Sequence, residues 1–356
     1  MRVGIAGAGA IAMGYAALLL KRRHEASVWS PSGKRTADLL GGEPLKVSGA
    51  IEGEFRPEVC QSANELALAD VIVLALPAYG QRLVIDALVP HLEARHTVIM
   101  SGHLSFAALY LSKRLAERGL QIPIVVWNTT ALTCKAQSFT EVRIGALRKM
   151  VSIAVLPVEV SSRALDVCAD LFGERFTLRD DLLTVTLSNL NPQSHLAIAL
   201  CNLTRMERAE AWRQRENITE TVGRFIEALD RERLALANAF GKKVTTVFDH
   251  YRNSLGLTGV SIAEMSAQQV EQGADVAGPN TIDSRYVLED VPFGLVPLLY
   301  LAEMTGVDMP LHRGGVAILS ACYGRDFSAD NDLLPSIAAA DFSQMLTAYK
   351  STFVTS

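Results

Sequence analysis

Residues 1–14 read MRVGIAGAGAIAMG, and this stretch determines the fold that the sequence predicts. A short apolar strand leads into the pattern Gly7-x-Gly9-x-x-Ala12, after which an apolar helix begins. In dinucleotide-binding domains the first glycine permits a tight turn, the second lets the backbone approach a pyrophosphate, and the third small residue lets the helix pack closely. The free N–H groups at the start of that helix then face the anion. The predicted cofactor contacts of this stretch are Gly7, Gly9, Ala10, Ile11 and Ala12.

The same stretch has one alternative interpretation, as a secretory signal. Residues 3–20 carry no charge, and Lys21, Arg22 and Arg23 follow them. Four glycines in the segment, the lack of a small-residue cleavage site and the strand-like run at 26–29 disfavour a signal. The remaining sequence holds no stretch near the roughly 20 apolar residues that a membrane span needs. We therefore expect a cytoplasmic protein that does not engage a membrane.

Composition limits the class of partner. The chain has 356 residues, 49% of them hydrophobic, and a formal net charge of −4. This length favours two domains, and the negative charge gives no reason to expect nucleic acid as a partner. The five cysteines lack a CxxC pair and the seven histidines lack metal-ligand spacing, so we expect reduced thiols and no metal. A homodimer stays open, because an apolar helical face can be core or interface.

Strand and helix patterns alternate in the first half of the chain. Apolar runs predict buried parallel strands at Val71–Leu76, Thr97–Met100 and Ile122–Trp127. Two further strand candidates are Val142–Leu147 and Val151–Leu156. Helices are predicted at Ala63–Ala69, Gln81–Leu92, Phe106–Arg118 and Ser161–Phe172, and the run Arg175–Leu178 extends the sheet to about residue 180. Pro77 follows the first of these strands, where a loop at the carboxyl edge would contact the nicotinamide half of a cofactor.

The second half of the chain is helical almost throughout from Leu187 onward, and includes a long amphipathic stretch at Thr219–Phe240. The sequence therefore predicts an α/β protein with a doubly wound, mainly parallel Rossmann domain at 1–182 and an all-helical substrate domain at 183–356. We expect the ligand cleft between these domains.

The end of the second predicted strand bears on the choice of dinucleotide. NAD sites usually place an acidic residue there, to bind the ribose hydroxyls. This strand continues instead into Ser30, Ser32, Lys34 and Arg35, which suit a 2′-phosphate, arginine through its bidentate fork. The alternative is that a serine caps the next helix and that the cations are solvated. We predict NADP in preference to NAD.

The helical half holds a first polar segment, SNLNPQSH at 188–195. Asn191 and His195 are four residues apart and so share a helix face. Pro192 suits the first turn of a helix, which makes Asn191 a candidate N-cap. The alternative for His195 is a buried histidine of the core.

A second segment, RYVLEDVPFGLVP at 285–297, places an arginine and two acids inside an apolar run. Arg285 suits a substrate carboxylate, because its planar fork binds carboxylates through two hydrogen bonds. A nearby carboxylate can orient a histidine for acid–base work. The alternative is a structural ion pair of Arg285 with Glu289 or Asp290.

Together the two segments resemble the opine dehydrogenases, the octopine/nopaline dehydrogenase group. The resemblance covers nearly the whole chain, because a Rossmann domain precedes a helical domain that carries both motifs in order. Such enzymes use NAD(P)H to condense an amino acid with a 2-oxo acid, typically pyruvate, into a secondary amine. By position, the resemblance implies that His195 is the catalytic acid/base with Asp290 as its partner. It also implies that Arg285 binds the 2-oxo acid and that Asn191 contacts substrate.

Two segments depart from the pattern of these relatives. The loop at Ser101–Ser105 lacks an Asn-Pro-Gly sequence, and its His103 is either a polar group near the nicotinamide or an exposed loop histidine. The segment Trp127–Lys135 keeps hydroxyls but begins without an acid. These departures concern the amine substrate more than the reaction type.

Two rival functions remain open at this point. A ketopantoate-reductase-like enzyme would reduce a 2-oxo acid without an amine and would take its acid from a lysine of the helical domain. Lys242 and Lys243 are present, beside Gly241 at a predicted helix end, where a cationic cap also explains them. The other rival is a non-catalytic NADP-binding module.

Overall fold

A computed structural model describes residues 1–337 and Phe342, with only the backbone of Ser254. Its strands are β1 Arg2–Ala6, β2 Glu25–Trp29, β3 Leu45–Gly49, β4 Gly53–Phe55, β5 Glu58–Val59, β6 Val71–Leu74, β7 Thr97–Met100, β8 Ile124–Trp127, β9 Leu132–Ala136, β10 Glu141–Leu147, β11 Val151–Leu156 and β12 Phe176–Leu178. Its helices are α1 Ala10–Lys21, α2 Ala37–Leu40, α3 Ala63–Leu66, α4 Gln81–Leu88, α5 Ala107–Ala116, α6 Ser161–Phe172, α7 Leu182–Leu187, α8 Asn191–Glu207, α9 Glu220–Ala239, α10 Val247–Leu255, α11 Ile262–Glu271, α12 Arg285–Leu288, α13 Val296–Thr305 and α14 Pro310–Tyr323.

The chain divides into two compact units, one of residues 1–186 and one of residues 187–332. The described residues after Asp332 group with the first unit, whereas the sequence assigned 183–356 to the helical domain. Two contacts explain the difference. Lys113 Nζ donates to the carbonyl of Ser336 at 2.9 Å. The rings of Phe106 and Phe342 pack edge to face, with 4.8 Å between their centroids.

The first unit contains a doubly wound sheet of eight strands, in the order β12-β11-β8-β7-β6-β1-β2-β5. All neighbours are parallel except β11 and β8, which pair antiparallel. The strand order reverses between β1 and β6, and in such sheets ligands bind at the carboxyl ends of the strands at this point. The predicted α/β fold, with a mainly parallel sheet and a helical second part, is confirmed.

A second sheet of four strands, β4-β3-β10-β9, also belongs to the first unit. The sequence placed Val142–Leu147 in the main sheet, which is wrong: β10 pairs parallel with β3 and antiparallel with β9. Helix α1 contacts this sheet as well as the main one, and its residues 12–19 are all buried. A helix covered on several sides needs no polar face. This burial accounts for the uncharged run that resembled a signal segment.

The second unit is built from helices around α8 and α9. The predicted helix Thr219–Phe240 corresponds to α9. Arg233 of α9 is fully buried and donates to Asp230 Oδ1 at 2.9 and 2.7 Å. Its guanidinium also donates to the carbonyls of Leu187 and Thr245, so a charge inside the core is fully paired.

Gly7 closes the turn between β1 and α1. Its N–H donates to the carbonyl of Trp29 at 2.8 Å, and its φ of +134° is one that side chains rarely permit. An added Cβ would lie 2.2 Å from the carbonyl oxygen of Ala75, the residue directly after the neighbouring strand β6. Only glycine fits this position without moving the backbone.

We therefore expect Gly7→Ala to lower the free energy of unfolding by about 1–3 kcal/mol, through backbone strain and the clash with Ala75. Gly9→Ala is the matched control, because a Cβ there meets no described atom within 4 Å. That control should stay within about 1 kcal/mol of the wild type. Urea unfolding followed by tryptophan fluorescence measures both. Equal stability of the two variants would contradict the turn's dependence on Gly7.

Candidate active site

The first unit carries the predicted phosphate cradle. Gly9 is the N-cap of α1, and within the described residues no side chain caps this helix end. Fully buried Ala12 lies 3.5 Å from the position that a Cβ on Gly7 would take, so helix and turn pack closely. The N–H groups of Ala10 and Ile11 therefore begin a helix whose positive end is open to an anion. This cradle fits the pyrophosphate of a dinucleotide.

A cavity of about 240 Å³ adjoins the cradle. Gly9 and Ala10 line one part of it, and Arg35 and Phe139 line another. The guanidinium carbon of Arg35 lies 5.8 Å from the centroid of the Phe139 ring, a cation–π contact that restrains the arginine. Phe139 lies in the hairpin between β9 and β10, which sequence reasoning did not connect with the cofactor. The structure thus brings a cation to the phosphate cradle.

The other predicted contacts after β2 share the loop of Arg35. Ser30 is half-buried, and Ser32 and Lys34 are exposed. All three lie outside the lining of the cavity. The N-cap of α2 is Thr36, so neither serine caps the following helix.

Pro77 lies at the reversal point of the main sheet. It follows β6, the strand beside β1, and begins a short 3₁₀ turn at Ala78–Gly80. Pro77 and Tyr79 are both exposed there. The loop therefore has the location at which doubly wound sheets bind their ligands.

Tyr15 connects α1 to the loops that follow β7 and β8. Its hydroxyl is 2.6 Å from Ser101 Oγ and accepts from the N–H of Ala131 at 2.9 Å. Burial raises the pKa of Tyr15 to about 12, so the phenol stays neutral. The carboxyl edge of the sheet is therefore held by an uncharged polar link.

His103 is buried, so the interpretation as an exposed loop histidine is wrong. Its Nδ1 is 3.1 Å from Thr186 Oγ1, whose own proton is donated to the carbonyl of Leu182. Its Nε2 lies 3.4 Å from the N–H of Ala108. Burial lowers the pKa of His103 to about 3. The ring is therefore neutral, with the proton on Nδ1.

The second unit brings His195 and Asp290 together. His195 Nδ1 lies 2.6 Å from Asp290 Oδ2, across 95 residues of sequence. The exposed fraction of the side chain is 15% for His195 and 2% for Asp290. Because the carboxylate accepts the Nδ1 proton, it fixes the ring orientation and leaves Nε2 as the nitrogen for a reactant.

A widened helical turn follows Asp290. The segment Arg285–Leu288 forms α12, and Val291–Leu295 form a π-helical turn that leads into α13. Pro292 has no N–H to donate, and its carbonyl accepts from Asn331 Nδ2 at 2.7 Å. Wide turns of this kind are frequent at functional sites. Here the turn begins directly after the carboxylate that holds His195.

Arg285 lies on the same segment, five positions before Asp290. Its Nε is 3.4 Å from Glu289 Oε2, so one of the ion pairs expected from the sequence is present. The side chain of Arg285 is 62% exposed, whereas that of Glu289 is 9% exposed. A buried acid thus holds an arginine that solutes can reach.

Asn191 is exposed and is the first residue of α8, one turn before His195. The prediction that it caps the helix is wrong. The N-cap is Leu190, and the N–H of Asn191 donates to Asn189 Oδ1 at 3.1 Å. The predicted contact of Asn191 with substrate is therefore supported only by the exposure of its side chain.

One residue at this site was missed by sequence reasoning. Tyr286 stacks on the His195 ring with 3.6 Å between centroids and 7° between planes. Its position next to Arg285 was visible in the sequence, but the direction of its ring was not.

Comparison with known proteins agrees with this geometry. A family described as NAD/NADP octopine/nopaline dehydrogenase, alpha-helical domain, matches residues 178–323. The opine dehydrogenase of Arthrobacter sp. (strain 1C) is 26% identical over 328 residues, which cover 91% of each chain. The chain is thus similar to the opine dehydrogenases along nearly its whole length. It is an NAD(P)-dependent oxidoreductase of the class that acts on a CH–NH group.

Solved structures share the fold of this chain. An octopine dehydrogenase in complex with NADH and agmatine has a TM-score of 0.77 at 16% identity, covering 91% of this chain and 90% of that one. A yersinopine dehydrogenase with NADP⁺ bound has a TM-score of 0.74 at 15% identity, covering 98% and 99%. Because the two hold different dinucleotides, the likeness supports a nicotinamide cofactor without selecting one.

The two lysines that a ketopantoate-reductase-like enzyme would use lie at a helix end in this chain. Lys242 and Lys243 follow α9, after Gly241 in a left-handed conformation. The N–H of Lys242 donates to the carbonyl of Ala237 at 2.9 Å and closes the last turn of α9. This placement is typical of a helix C-cap.

The described residues contain neither a cluster suited to a metal ion nor a helix suited to a membrane. Among residues 1–337 and Phe342, no group of three or more His, Cys, Asp or Glu side chains is placed to hold a metal ion. The helices within the same residues include none with the length and hydrophobicity needed to cross a membrane.

The buried neutral His103 predicts a loss of stability in acid. Its pKa is lowered from 6.5 to about 3 on folding, so the unfolded chain binds a proton at pH 5 and the folded chain does not. This contribution to stability is complete above pH 6.5 and is lost as the pH falls toward 3. The free energy of unfolding of the wild type should therefore drop about 2 kcal/mol more between pH 7 and pH 5 than that of His103→Gln. Equal drops would show that His103 titrates normally.

Proposed function

We propose that this protein is an opine dehydrogenase that uses NADPH, in preference to NADH, to condense the amino group of an amino acid with a pyruvate-like 2-oxo acid and to reduce the resulting imine. The observation that carries the proposal is the 2.6 Å hydrogen bond between His195 Nδ1 and Asp290 Oδ2, with Arg285 on the preceding turn. An acid–base group and a carboxylate anchor are the two side-chain functions that this condensation requires.

In this proposal His195 Nε2 accepts and donates the protons. The neutral ring takes a proton from the ammonium of the amino acid, and the freed lone pair attacks the carbonyl carbon of the 2-oxo acid. The same nitrogen returns this proton to the carbonyl oxygen, which gives a carbinolamine. His195 then carries a second proton from the amine nitrogen to that oxygen, which leaves as water while the carbon–nitrogen double bond of a protonated imine forms. Asp290 stabilises the charged ring between these steps, because its carboxylate accepts the Nδ1 proton.

In this proposal Arg285 orients the 2-oxo acid by binding its carboxylate. Its side chain is largely exposed and pairs with Glu289, and a guanidinium is the group best suited to bind a carboxylate. Binding the carboxylate of the 2-oxo acid fixes the carbonyl carbon that is to be attacked, and such positioning contributes much of the rate of a two-substrate reaction. Asn191, exposed one turn before His195, is a further contact for substrate on that helix.

In this proposal the first unit, residues 1–186, binds the cofactor. Gly7, Gly9, Ala10, Ile11 and Ala12 would hold the pyrophosphate at the start of α1, and Pro77 would contact the nicotinamide half. When bound, the nicotinamide supplies the hydride that reduces the imine carbon. The residues present fit this group, because the Gly9 position is open to a ligand that a Cβ would obstruct.

The preference for NADPH rests on the loop after β2. This loop carries Ser30, Ser32, Lys34 and Arg35, and no acidic residue occurs between Trp29 and Ala37. Arg35 lines the cavity beside the cradle and is restrained by Phe139. A cation held in advance loses less conformational entropy when it binds a phosphate. We therefore assign the 2′-phosphate to this loop.

Amine dependence of NADPH oxidation tests the reaction. Absorbance at 340 nm should fall only when pyruvate or 2-oxoglutarate and an amino acid are both present. His195→Ala should lower turnover by ~10²–10⁴-fold, the scale of general acid–base catalysis. Ser194→Ala, on the same helix, is the control and should keep the wild-type rate. Oxidation with the 2-oxo acid alone would favour a simple 2-oxo acid reductase, and near wild-type turnover of His195→Ala would contradict its role.

The role of Arg285 is tested by the Michaelis constant of the 2-oxo acid. Arg285→Ala should raise that constant ~10–100-fold, the loss of a charge-assisted pair, with a smaller change in turnover. Arg313→Ala is the matched control, because Arg313 forms a similar exposed pair with Glu303 at 3.5 Å. An unchanged constant in Arg285→Ala would contradict carboxylate binding there.

The cofactor preference is tested by binding of the two reduced dinucleotides. Arg35→Ala should weaken NADPH ~10–100-fold and NADH less than threefold, because only NADPH has the 2′-phosphate. Arg143→Ala, an exposed change on β10, should affect neither. Fluorescence titration measures both affinities. Equal weakening of NADPH and NADH would place Arg35 on the pyrophosphate instead.

A further inference from the structure

The face of the His195 ring is covered by a tyrosine whose own ring is fixed at its far end. Tyr286 stacks on His195 at 3.6 Å between centroids and 7° between planes. The hydroxyl of Tyr286 donates to Gln214 Oε1 at 2.6 Å. Its backbone is fixed as well, since the N–H of Tyr286 donates to Ser284 Oγ at 3.2 Å, the N-cap of α12.

Gln214 is itself anchored by the backbone around it. Its N–H donates to the carbonyl of Val276 at 2.8 Å. The neighbouring carboxylate of Asp275 accepts from the N–H groups of Arg215 at 2.8 Å and Glu216 at 3.4 Å. Two separate segments are thus joined behind Gln214. These bonds fix the backbone at Gln214, whose side-chain oxygen Oε1 accepts from the Tyr286 hydroxyl.

A single hydrogen bond does not fix an imidazole ring. The bond from Nδ1 to Asp290 sets the position of one atom, but the ring can still rotate about the line between the two groups. A parallel ring in van der Waals contact removes that rotation, because any tilt would drive ring atoms together. The two contacts together fix the direction in which Nε2 points.

We propose that Tyr286 is a positioning residue that acts through His195, and that the hydrogen bond from its hydroxyl to Gln214 holds it in register. This inference rests on the proposed acid–base role of His195. The charged groups near the stack are Asp290 on the histidine side and Arg285 and Arg215 on the tyrosine side. Burial raises the pKa of Tyr286, so the phenol remains a neutral hydrogen-bond donor.

Three variants separate positioning from packing and from substrate contact. Tyr286→Leu removes the stack, Tyr286→Phe keeps the ring without the hydroxyl, and Gln214→Leu removes the acceptor. Turnover should fall ~10–100-fold in Tyr286→Leu, because a misplacement of about 1 Å has that effect. The Michaelis constant of the 2-oxo acid and NADPH affinity should change less than threefold. Tyr286→Phe should recover most of the turnover.

The hydrogen bond from the Tyr286 hydroxyl to Gln214 has its own test. Gln214→Leu should lower turnover as much as Tyr286→Phe does, and the double variant should show no further loss, since both changes remove one hydrogen bond. Losses that multiply in the double variant would overturn the assigned link. A raised Michaelis constant with unchanged turnover in Tyr286→Leu would make Tyr286 a substrate contact, and unchanged kinetics would leave it a packing residue. Either result overturns the proposal.

One readout does not depend on turnover. In protein labelled with [¹³C]histidine, the signal absent from His195→Ala is that of His195. The ring current of Tyr286 should shift this signal upfield, and Tyr286→Leu should move it downfield while Tyr286→Phe leaves it nearly in place. An unchanged signal in Tyr286→Leu would overturn the inference. A wild type without amine-dependent turnover but with this shift would refute the proposed function and leave the stack intact.

Discussion

One buried hydrogen bond organises the polar chemistry of the helical unit. Asp290 is almost wholly removed from solvent, and a carboxylate in that position must be paired to offset its desolvation. Its partner is His195, on a helix 95 residues earlier in the chain. The pairing joins α8 to the segment around α12 and directs Nε2 away from the acid. Every role that we assign to Arg285 and Tyr286 depends on this orientation, because both lie on the segment that carries Asp290.

The first unit is governed by a steric constraint rather than a polar one. The turn at Gly7 brings α1 against the sheet so closely that a Cβ would lie 2.2 Å from the carbonyl oxygen of Ala75, directly after the neighbouring strand β6. This approach opens the start of α1 to an anion and buries the rest of the helix among strands of two sheets. The second sheet then contributes Phe139, which restrains Arg35 beside the cradle. The apolar character of α1 and the location of Arg35 beside the cradle both follow from the packing of α1 against the two sheets.

Sequence reasoning succeeded where the determinants are local. The Gly7-x-Gly9-x-x-Ala12 pattern predicted the cradle because turn, helix start and small residue lie within one short segment. The pairing of His195 with an acid followed from a resemblance that spans two motifs. The second sheet was missed because short strands such as β4 lack a clear period, and their partners are distant in sequence. His103 and Tyr286 were misread or missed because burial and ring stacking depend on the neighbours that folding supplies.

The central claim is that an amino acid's nitrogen is joined to the carbon of a 2-oxo acid. The most direct measurement is mass spectrometry of the product formed from NADPH, pyruvate and a ¹⁵N-labelled amino acid that supports oxidation. We predict one secondary amine that retains the label and contains the carbons of both substrates, with water lost and two hydrogens gained. Conversion of pyruvate to lactate, with the labelled amino acid unchanged, would contradict the claim.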